Sequence, residues 1–207
     1  MNDVIIKEEN LPAIDDSFMS EMTRTHFLPY LMLKVASSSE CKDGSFPVNH
    51  YAIKSEGALV DLGVSVDVVV LAVRPKAVDF TSGVKAFYNF ASPAFKAVAQ
   101  RSQVKDSKCQ YGPEFLLWLS EEEQFVTFMM GSISARNVSP ELNALRGKGA
   151  SLGAQGVKTE KYSWFVPTIT PCNTPLTPIG ENYNQVLSDF LNPVEPVLEP
   201  APEARMR

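Results

Sequence analysis

Residues 114–130, EFLLWLSEEEQFVTFMM, hold two apolar runs separated by a short acidic segment. The runs are Phe115–Leu119 and Phe125–Met130, and nearly every position in them is apolar. Two such runs around a turn-length segment predict antiparallel strands joined in a hairpin. Because both faces of the strands are apolar, we expect the hairpin to be covered on both sides or to use one face for binding.

The register of this hairpin depends on the length of its loop. A five-residue loop, Ser120–Gln124, would pair Leu119 with Phe125 and Trp118 with Val126. A loop shorter by one residue changes which side chains share a face, since alternate residues of a strand point to opposite sides. The sequence is compatible with both registers.

Further segments with strand character lie on either side of the hairpin. The richest in β-branched residues is Val64–Val73, and Arg74-Pro75-Lys76 is expected to end it because proline cannot donate to a central ladder. Residues 146–156 are predicted to be a loop, since they hold four glycines in eleven positions. The other strand candidates are residues 31–35, 49–53, 58–62, 84–90 and 157–170.

Two serine–proline pairs predict helix starts, because serine caps a first turn and proline fits the first helical position. Ser92-Pro93 would open a helix to Gln100 or Gln103, and Ser139-Pro140 would open one to about Arg146. Short strands, a hairpin and short helices, without a regular strand–helix alternation, predict a mainly β (α+β) fold. An OB-like small barrel with short helices is the preferred architecture.

Charge is spread unevenly along the chain, whose net charge is −5. Residues 1–26 are predicted to form a flexible acidic N-terminal arm, and residues 27–180, which are slightly basic, the OB-like β domain. Residues 181–207 are predicted to form a short helix within 182–191 and then a disordered acidic, proline-rich tail.

The sequence lacks the motifs of common enzyme classes, so we expect a protein that is not an enzyme. It has no phosphate-binding loop, no nucleophile elbow and no zinc-protease motif. Three widely spaced cysteines and two histidines argue against a zinc site, and no metal or cofactor is expected. A metal-dependent nuclease site at Glu121–Glu123 is the least favoured hypothesis, because adjacent acids at a hairpin tip are usually solvated turn residues.

The first ten residues, MNDVIIKEEN, have neither the basic start nor the apolar core of a secretory signal. No apolar run approaches the ~20 residues that span a bilayer. We therefore expect a cytoplasmic protein without membrane contact, whose cysteines are reduced. If the protein is phage-encoded, the compartment is the host cell cytoplasm.

Basic and aromatic residues are interleaved through the middle of the chain. Binding a single strand of nucleic acid needs cations for the phosphates and flat rings for the bases. Glycines in the Arg146–Trp164 segment would let the backbone approach phosphates, so this segment is expected to be central. The predicted phosphate contacts are Arg74, Lys76, Arg101, Arg136, Arg146, Lys148, Lys158 and Lys161, and the predicted stacking residues are Tyr88, Trp118, Tyr162 and Trp164.

In organisation, residues 27–207 resemble phage-type (T7-like) single-stranded DNA-binding proteins, with an OB-like domain, a helical insertion and an acidic C-terminal tail. The resemblance implies a protein that coats single-stranded DNA during phage or mobile-element DNA replication and recombination and contacts replication proteins through its tail. This tail ends Ala204-Arg205-Met206-Arg207 and is only moderately acidic. The tails of that family commonly end in an aromatic residue after dense acids.

A protein–protein interaction module, such as a virion component or an inhibitor of a host enzyme, is the alternative function. It would use the apolar face of the hairpin together with the two charged ends of the chain. A homo-oligomer is compatible with either function.

Overall fold

The structure is a computed structural model that describes residues 28–55, 58–104, 107–130, 138–158, 163–173 and 182–193. These residues contain nine strands and four helices. In chain order they are β1 (Leu31–Leu33), α1 (Ser39–Lys42), β2 (Tyr51–Ser55), β3 (Ala58–Gly63), β4 (Val66–Asp79), β5 (Lys85–Phe87), α2 (Pro93–Arg101), β6 (Cys109–Leu119), β7 (Gln124–Met129), α3 (Ser139–Ala144), β8 (Gly149–Lys158), β9 (Ser163–Cys172) and α4 (Tyr183–Leu191).

The mainly β (α+β) fold with short helices is confirmed. The strands form two antiparallel sheets, one with the order β1-β2-β3 and one with the order β7-β6-β4-β8-β9, in which β5 also pairs with β4. The described pairing does not close these strands into a barrel. The predicted acidic arm, residues 1–26, and nearly all of the predicted tail lie outside the described residues.

Two contacts tie the small sheet to the large one. The backbone N–H of Thr127 in β7 donates to the carbonyl of Pro29, just before β1, over 2.9 Å. On the other side, the hydroxyl of Tyr51 in β2 donates to the carbonyl of Gly153 in β8 over 2.7 Å. The Tyr51 ring is fully buried, and burial raises the pKa of its hydroxyl above the ordinary range.

β4 is a strand of fourteen residues that pairs with β6, β8 and β5. The expectation that it ends at Arg74-Pro75-Lys76 is wrong. Pro75 lies opposite Pro113 of β6, and in the described pairing neither β5 nor β8 reaches that position. The missing N–H of Pro75 therefore lies on the open side of the strand, where no ladder bond is lost.

The β6–β7 hairpin has the shorter of the two loops considered above. Leu119 pairs with Gln124 and Trp118 pairs with Phe125, so the five-residue register is wrong and the four-residue register is correct. Glu123, the last loop residue, has a positive φ of 50°. The hairpin is buried on both faces, as its two-sided apolar pattern predicts.

The prediction that the glycine-rich residues 146–156 form a loop is wrong from Gly149 onwards, because β8 begins there. Ala150 and Leu152 of β8 are fully buried in the core between the sheets. That apolar alternation, not the glycine content, decides the local structure. β8 pairs with β4 through its first four residues and with β9 along its whole length, where Pro171 and Pro167 lie opposite Ala150 and Ala154.

The apolar core has three parts. Phe115 belongs to the largest cluster, which lies between the two sheets. Trp118 and Phe190 belong to a second cluster on the opposite face of the large sheet, beneath α4. Ala77 and Phe95 belong to a third cluster beneath α2. Because α4 buries Phe190 against the sheet, this helix is part of the same packed unit as the strands.

The helix starts follow the serine–proline pairs. In α2 the Ser92 hydroxyl accepts from the Phe95 N–H over 3.1 Å, which confirms the predicted cap. α3 begins at Ser139 itself, with Val138 in the capping position and no side-chain cap bond there. Ser139-Pro140 thus predicts the position of α3 correctly, but the capping residue is Val138 and not Ser139.

Candidate nucleic-acid interface

Arg74 and Lys76, two of the predicted phosphate contacts, form ion pairs with a buried carboxylate. Nη2 of Arg74 lies 2.7 Å from Oε2 of Glu114, and Lys76 Nζ contacts Oε1 of the same residue. Glu114 is 1% exposed, Arg74 13% and Lys76 15%. Both cations therefore have a countercharge within the fold.

Aromatic rings enclose this ionic cluster. The Arg74 guanidinium lies 4.0 Å from the Tyr88 ring centroid and 4.1 Å from that of Phe190, so it is stacked between them. Arg74 also donates to the carbonyl of Phe190. Burial and the nearby Glu114 charge raise the pKa of Tyr30, whose ring lies beside Lys76, to about 12. Tyr88, a predicted stacking residue, thus holds an arginine of its own chain.

Trp118 is 5% exposed and packs against Phe125, with 4.7 Å between ring centroids. Tyr183 of α4 stacks on Phe125 from the outside. Trp118 therefore presents no ring face to solvent and belongs to the core.

The predicted basic segment around residues 146–161 is divided by β8. Arg146 and Lys148 are exposed at the start of this strand, and Lys158 is its last residue. Nine residue steps along an extended strand separate Lys158 from Gly149 by about 30 Å. These basic residues therefore do not share one loop.

Five of the predicted nucleic-acid contacts lie wholly or partly outside the described residues. Arg136, Lys161 and Tyr162 lie outside the described residues. Lys158 and Trp164 belong to β8 and β9 by their backbone, but their side chains are outside the description.

The remaining predicted contact, Arg101, belongs to a surface that we call the α2 patch. It surrounds α2 at the end of β4 and consists of exposed aromatic and basic side chains. Its members are Phe80, Lys85, Phe90, Lys96, Arg101, Lys108 and Tyr111.

Two exposed rings of the α2 patch contact one buried ring, that of Phe95. The ring centroid of Phe95 lies 5.6 Å from that of Phe90 and 5.8 Å from that of Tyr111. Phe95 is 1% exposed, whereas Phe90 is 62% exposed and Tyr111 39% exposed. The buried ring therefore packs against both exposed rings and restricts their movement.

Two basic residues of the patch, Lys85 and Arg101, lie beside one carboxylate, that of Asp79. Lys85 of β5 is the register partner of Asp79. On the opposite edge of β4, the N–H of Phe80 donates to the carbonyl of Lys108 over 2.8 Å. Arg101 reaches Asp79 from α2, with 2.8 Å between Nη2 and Oδ2.

Asp79 is held in its ionised form. Hydrogen bonds from the hydroxyl and the N–H of Thr81, together with the bond from Arg101, lower the pKa of Asp79 to about 2. The Arg101 side chain remains 51% exposed. The patch is therefore a cationic surface in which one basic side chain is paired internally.

The sequence-based site residues included Arg101 but not Phe80, Lys85, Phe90, Lys96, Lys108 or Tyr111. The sequence pattern favours two tyrosines and two tryptophans as stacking residues, but exposure, which decides whether a ring can stack, is set by tertiary packing. The helical spacing of α2 was the useful signal, since it turns Phe95 inward and Lys96 outward.

Within the described part of the chain, no three or more histidine, cysteine, aspartate or glutamate side chains are grouped so as to hold a metal ion. Asp67, Glu121 and Glu122 line a shallow cavity of about 180 Å³ beside the hairpin loop. None of the described helices is long and apolar enough to cross a membrane.

Comparison of the chain with protein-family models, with curated proteins and with solved structures gave no match.

Proposed function

We propose that the protein binds single-stranded DNA across the α2 patch. The observation that carries the proposal is the pair of exposed rings, Phe90 and Tyr111, which both contact the buried Phe95 in a patch that also holds exposed basic side chains. Rings and cations in one place are what a single strand needs, because bases stack on rings and phosphates pair with cations.

The contacts of Phe90 and Tyr111 with Phe95 support stacking, because the two exposed rings cannot move into the space that Phe95 fills. Phe95 occupies the apolar space beneath α2, so Phe90 and Tyr111 keep their exposure without burial elsewhere. Tyr111 belongs to β6, which pairs with β4, whereas Phe90 lies between β5 and α2. Each ring offers an apolar face at a fixed place, which lowers the ordering cost of stacking a base.

The basic residues of α2 support phosphate binding along the helix. Lys96 lies next to Phe95 in the first half of the helix, and Arg101 ends it. Arg101 follows Lys96 by five positions, so their Cα atoms are about 7.5 Å apart along the helix axis. Unlike Arg74 and Lys76, Lys96 is exposed.

A role in phage or mobile-element DNA replication or recombination is part of this proposal, through the resemblance described above. Contacts with replication proteins through the acidic tail are a further prediction that follows from the same resemblance. The hairpin faces that a protein–protein module would have used are buried.

Binding of a fluorescently labelled oligo(dT), followed by anisotropy, tests the proposal. We expect Phe90→Ala and Tyr111→Ala each to weaken binding by ~1–3 kcal/mol, the usual value of one base–ring stack. Lys96→Ala should lower the slope of log affinity against log salt by about 0.7, the contribution of one phosphate on a single strand.

The matched controls lie away from the patch. Val60→Ala removes an apolar side chain that is 42% exposed in β3, and Lys54→Ala removes an exposed cation in β2. Both should bind oligo(dT) like the parent protein. Absence of oligo(dT) binding at about 50 mM salt, or equal losses in patch and control variants, would contradict the proposal and leave a protein partner as the better explanation for the patch.

A further inference from the structure

We propose that Asp79 occupies, in the free protein, the phosphate site of the α2 patch, and that bound DNA displaces its carboxylate from Arg101. This inference rests on the function proposed above and specifies how the site is regulated. It makes Asp79 a built-in competitor for the phosphate.

The geometry around Asp79 resembles that of a bound anion. Oδ2 accepts from Nη2 of Arg101 over 2.8 Å, and Oδ1 accepts from the N–H of Thr81, also over 2.8 Å. Lys85 is its partner across the sheet. A phosphate oxygen and a carboxylate oxygen accept the same charge-assisted bonds from an arginine, so the two groups compete for one donor set.

The two partners differ in how freely they can move. Asp79 lies within β4 and its other oxygen is fixed by Thr81. Arg101 is the last residue of α2, and its long side chain is 51% exposed. The guanidinium is therefore the mobile partner, and it can turn from Asp79 towards a phosphate while the strand keeps its conformation.

Displacement of Asp79 from Arg101 has a free-energy cost that is absent when a phosphate binds an unpaired cation. To bind a phosphate, Arg101 must give up its pair with Asp79, and the uncovered carboxylate then repels the strand. Removing the Asp79 charge should therefore strengthen binding, and Arg101 should contribute fully only once that charge is gone.

The first test measures oligo(dT) affinity of Asp79→Asn. Asparagine keeps an oxygen for the Thr81 N–H but carries no charge. At about 0.1 M salt we expect about five-fold tighter binding, the effect of one phosphate contact on a single strand. Asp67→Asn is the matched control, since Asp67 is an exposed aspartate in the same strand, twelve residues or about 40 Å away.

The second test is a double-mutant cycle with Arg101→Ala. Competition predicts that this substitution costs less than about two-fold in the parent protein but about five-fold in the Asp79→Asn background. Equal losses in both backgrounds would show that the charges merely add, and would overturn the inference. Thermal unfolding of each variant confirms that it is folded.

The outcomes separate the two proposals. If oligo(dT) binds and Phe90→Ala weakens it, while Asp79→Asn behaves like Asp67→Asn, the competitor role of Asp79 is wrong and the α2 patch stands. If neither the parent protein nor Asp79→Asn binds oligo(dT), the proposed function is wrong and the competitor role fails with it.

Discussion

Glu114 is a single carboxylate between two cations, almost without access to water. Its charge comes from β6, while Arg74 and Lys76 come from β4. Removing one member of a buried ionic cluster leaves the others without a countercharge, which costs more than the cluster contributed when intact. The stability of this face of the sheet therefore depends on one residue.

We expect Glu114→Gln to lower the free energy of unfolding by about 3–5 kcal/mol, because it leaves Arg74 and Lys76 side by side and nearly buried. Denaturant unfolding measures this change. Glu121→Gln, the same substitution at an exposed position of the hairpin loop, should stay within about 0.5 kcal/mol of the parent protein. A Glu114→Gln protein as stable as the parent would contradict the account.

The same residues show a limit of sequence reasoning. Arg74 and Lys76 follow a strong strand pattern, and basic residues in such a place are usually exposed. Their partner Glu114 is about forty positions away along the chain and becomes their neighbour only through the pairing of β4 with β6. Side-chain burial of this kind depends on long-range pairing and is not contained in the local pattern.

At the scale of elements, β8 shows how a strand tolerates glycine. An ideal Cβ on Gly153 would lie 2.9 Å from Oγ1 of Thr168, a contact too short to keep. The corresponding Cβ on Gly156, in the same strand, would lie 3.5 Å from its nearest neighbour, Phe165. Gly153 is thus required by close packing against β9, whereas Gly156 is not.

This difference predicts opposite results for two alanine substitutions in β8. Gly153→Ala should destabilise the protein by about 1–3 kcal/mol through overpacking. Gly156→Ala should be neutral or stabilising by up to about 1 kcal/mol, because alanine loses less backbone entropy on folding. Thermal or denaturant unfolding gives both values. Thr168→Ala should restore part of the loss in Gly153→Ala; failure of this rescue would argue against the contact.

The sequence predicts an element correctly where its structure depends on residues close together in the chain. The prediction fails where the structure depends on pairing between distant residues. The Ser92-Pro93 pair defines the start of α2 through one hydrogen bond within one turn. β4 continues past Pro75 because neither β5 nor β8 pairs with that position in the described part of the sheet, so no ladder bond is lost there. Hairpin register, likewise, was fixed by one residue of loop length. The exposed rings of the α2 patch are a further example, since their exposure depends on which distant residues pack over them.

For the whole molecule, stability in acid depends on carboxylates whose pKa is lowered in the folded state. Hydrogen bonds from its own N–H and from Lys34 lower the pKa of Glu40 from the ordinary 4.5 to about 2. The pKa of Asp79 falls from 3.8 to about 2 through Thr81 and Arg101. Because the unfolded chain takes up protons more readily at these groups, the folded state is favoured fully only above about pH 5.

We therefore expect the melting temperature to be steady from about pH 7 to pH 5 and to fall progressively between about pH 4 and pH 2. The sign follows from the lowered folded-state pKa values, since this part of the stability disappears as the carboxylates are protonated. Glu40→Gln and Asp79→Asn should each make the fall less steep. An unchanged pH profile in both variants would show that other groups control acid unfolding.

The prolines of β9 have a consequence for how the molecule meets copies of itself. Pro167 and Pro171 share the same register parity, and since proline cannot donate to the ladder, these positions turn their backbone nitrogen away from β8. The outer margin of the large sheet therefore lacks donors at two places where an incoming strand would need them. Copies of the protein brought close together, as the proposed binding to one DNA strand would require, would be hindered from forming a continuous sheet along that margin, which opposes aggregation.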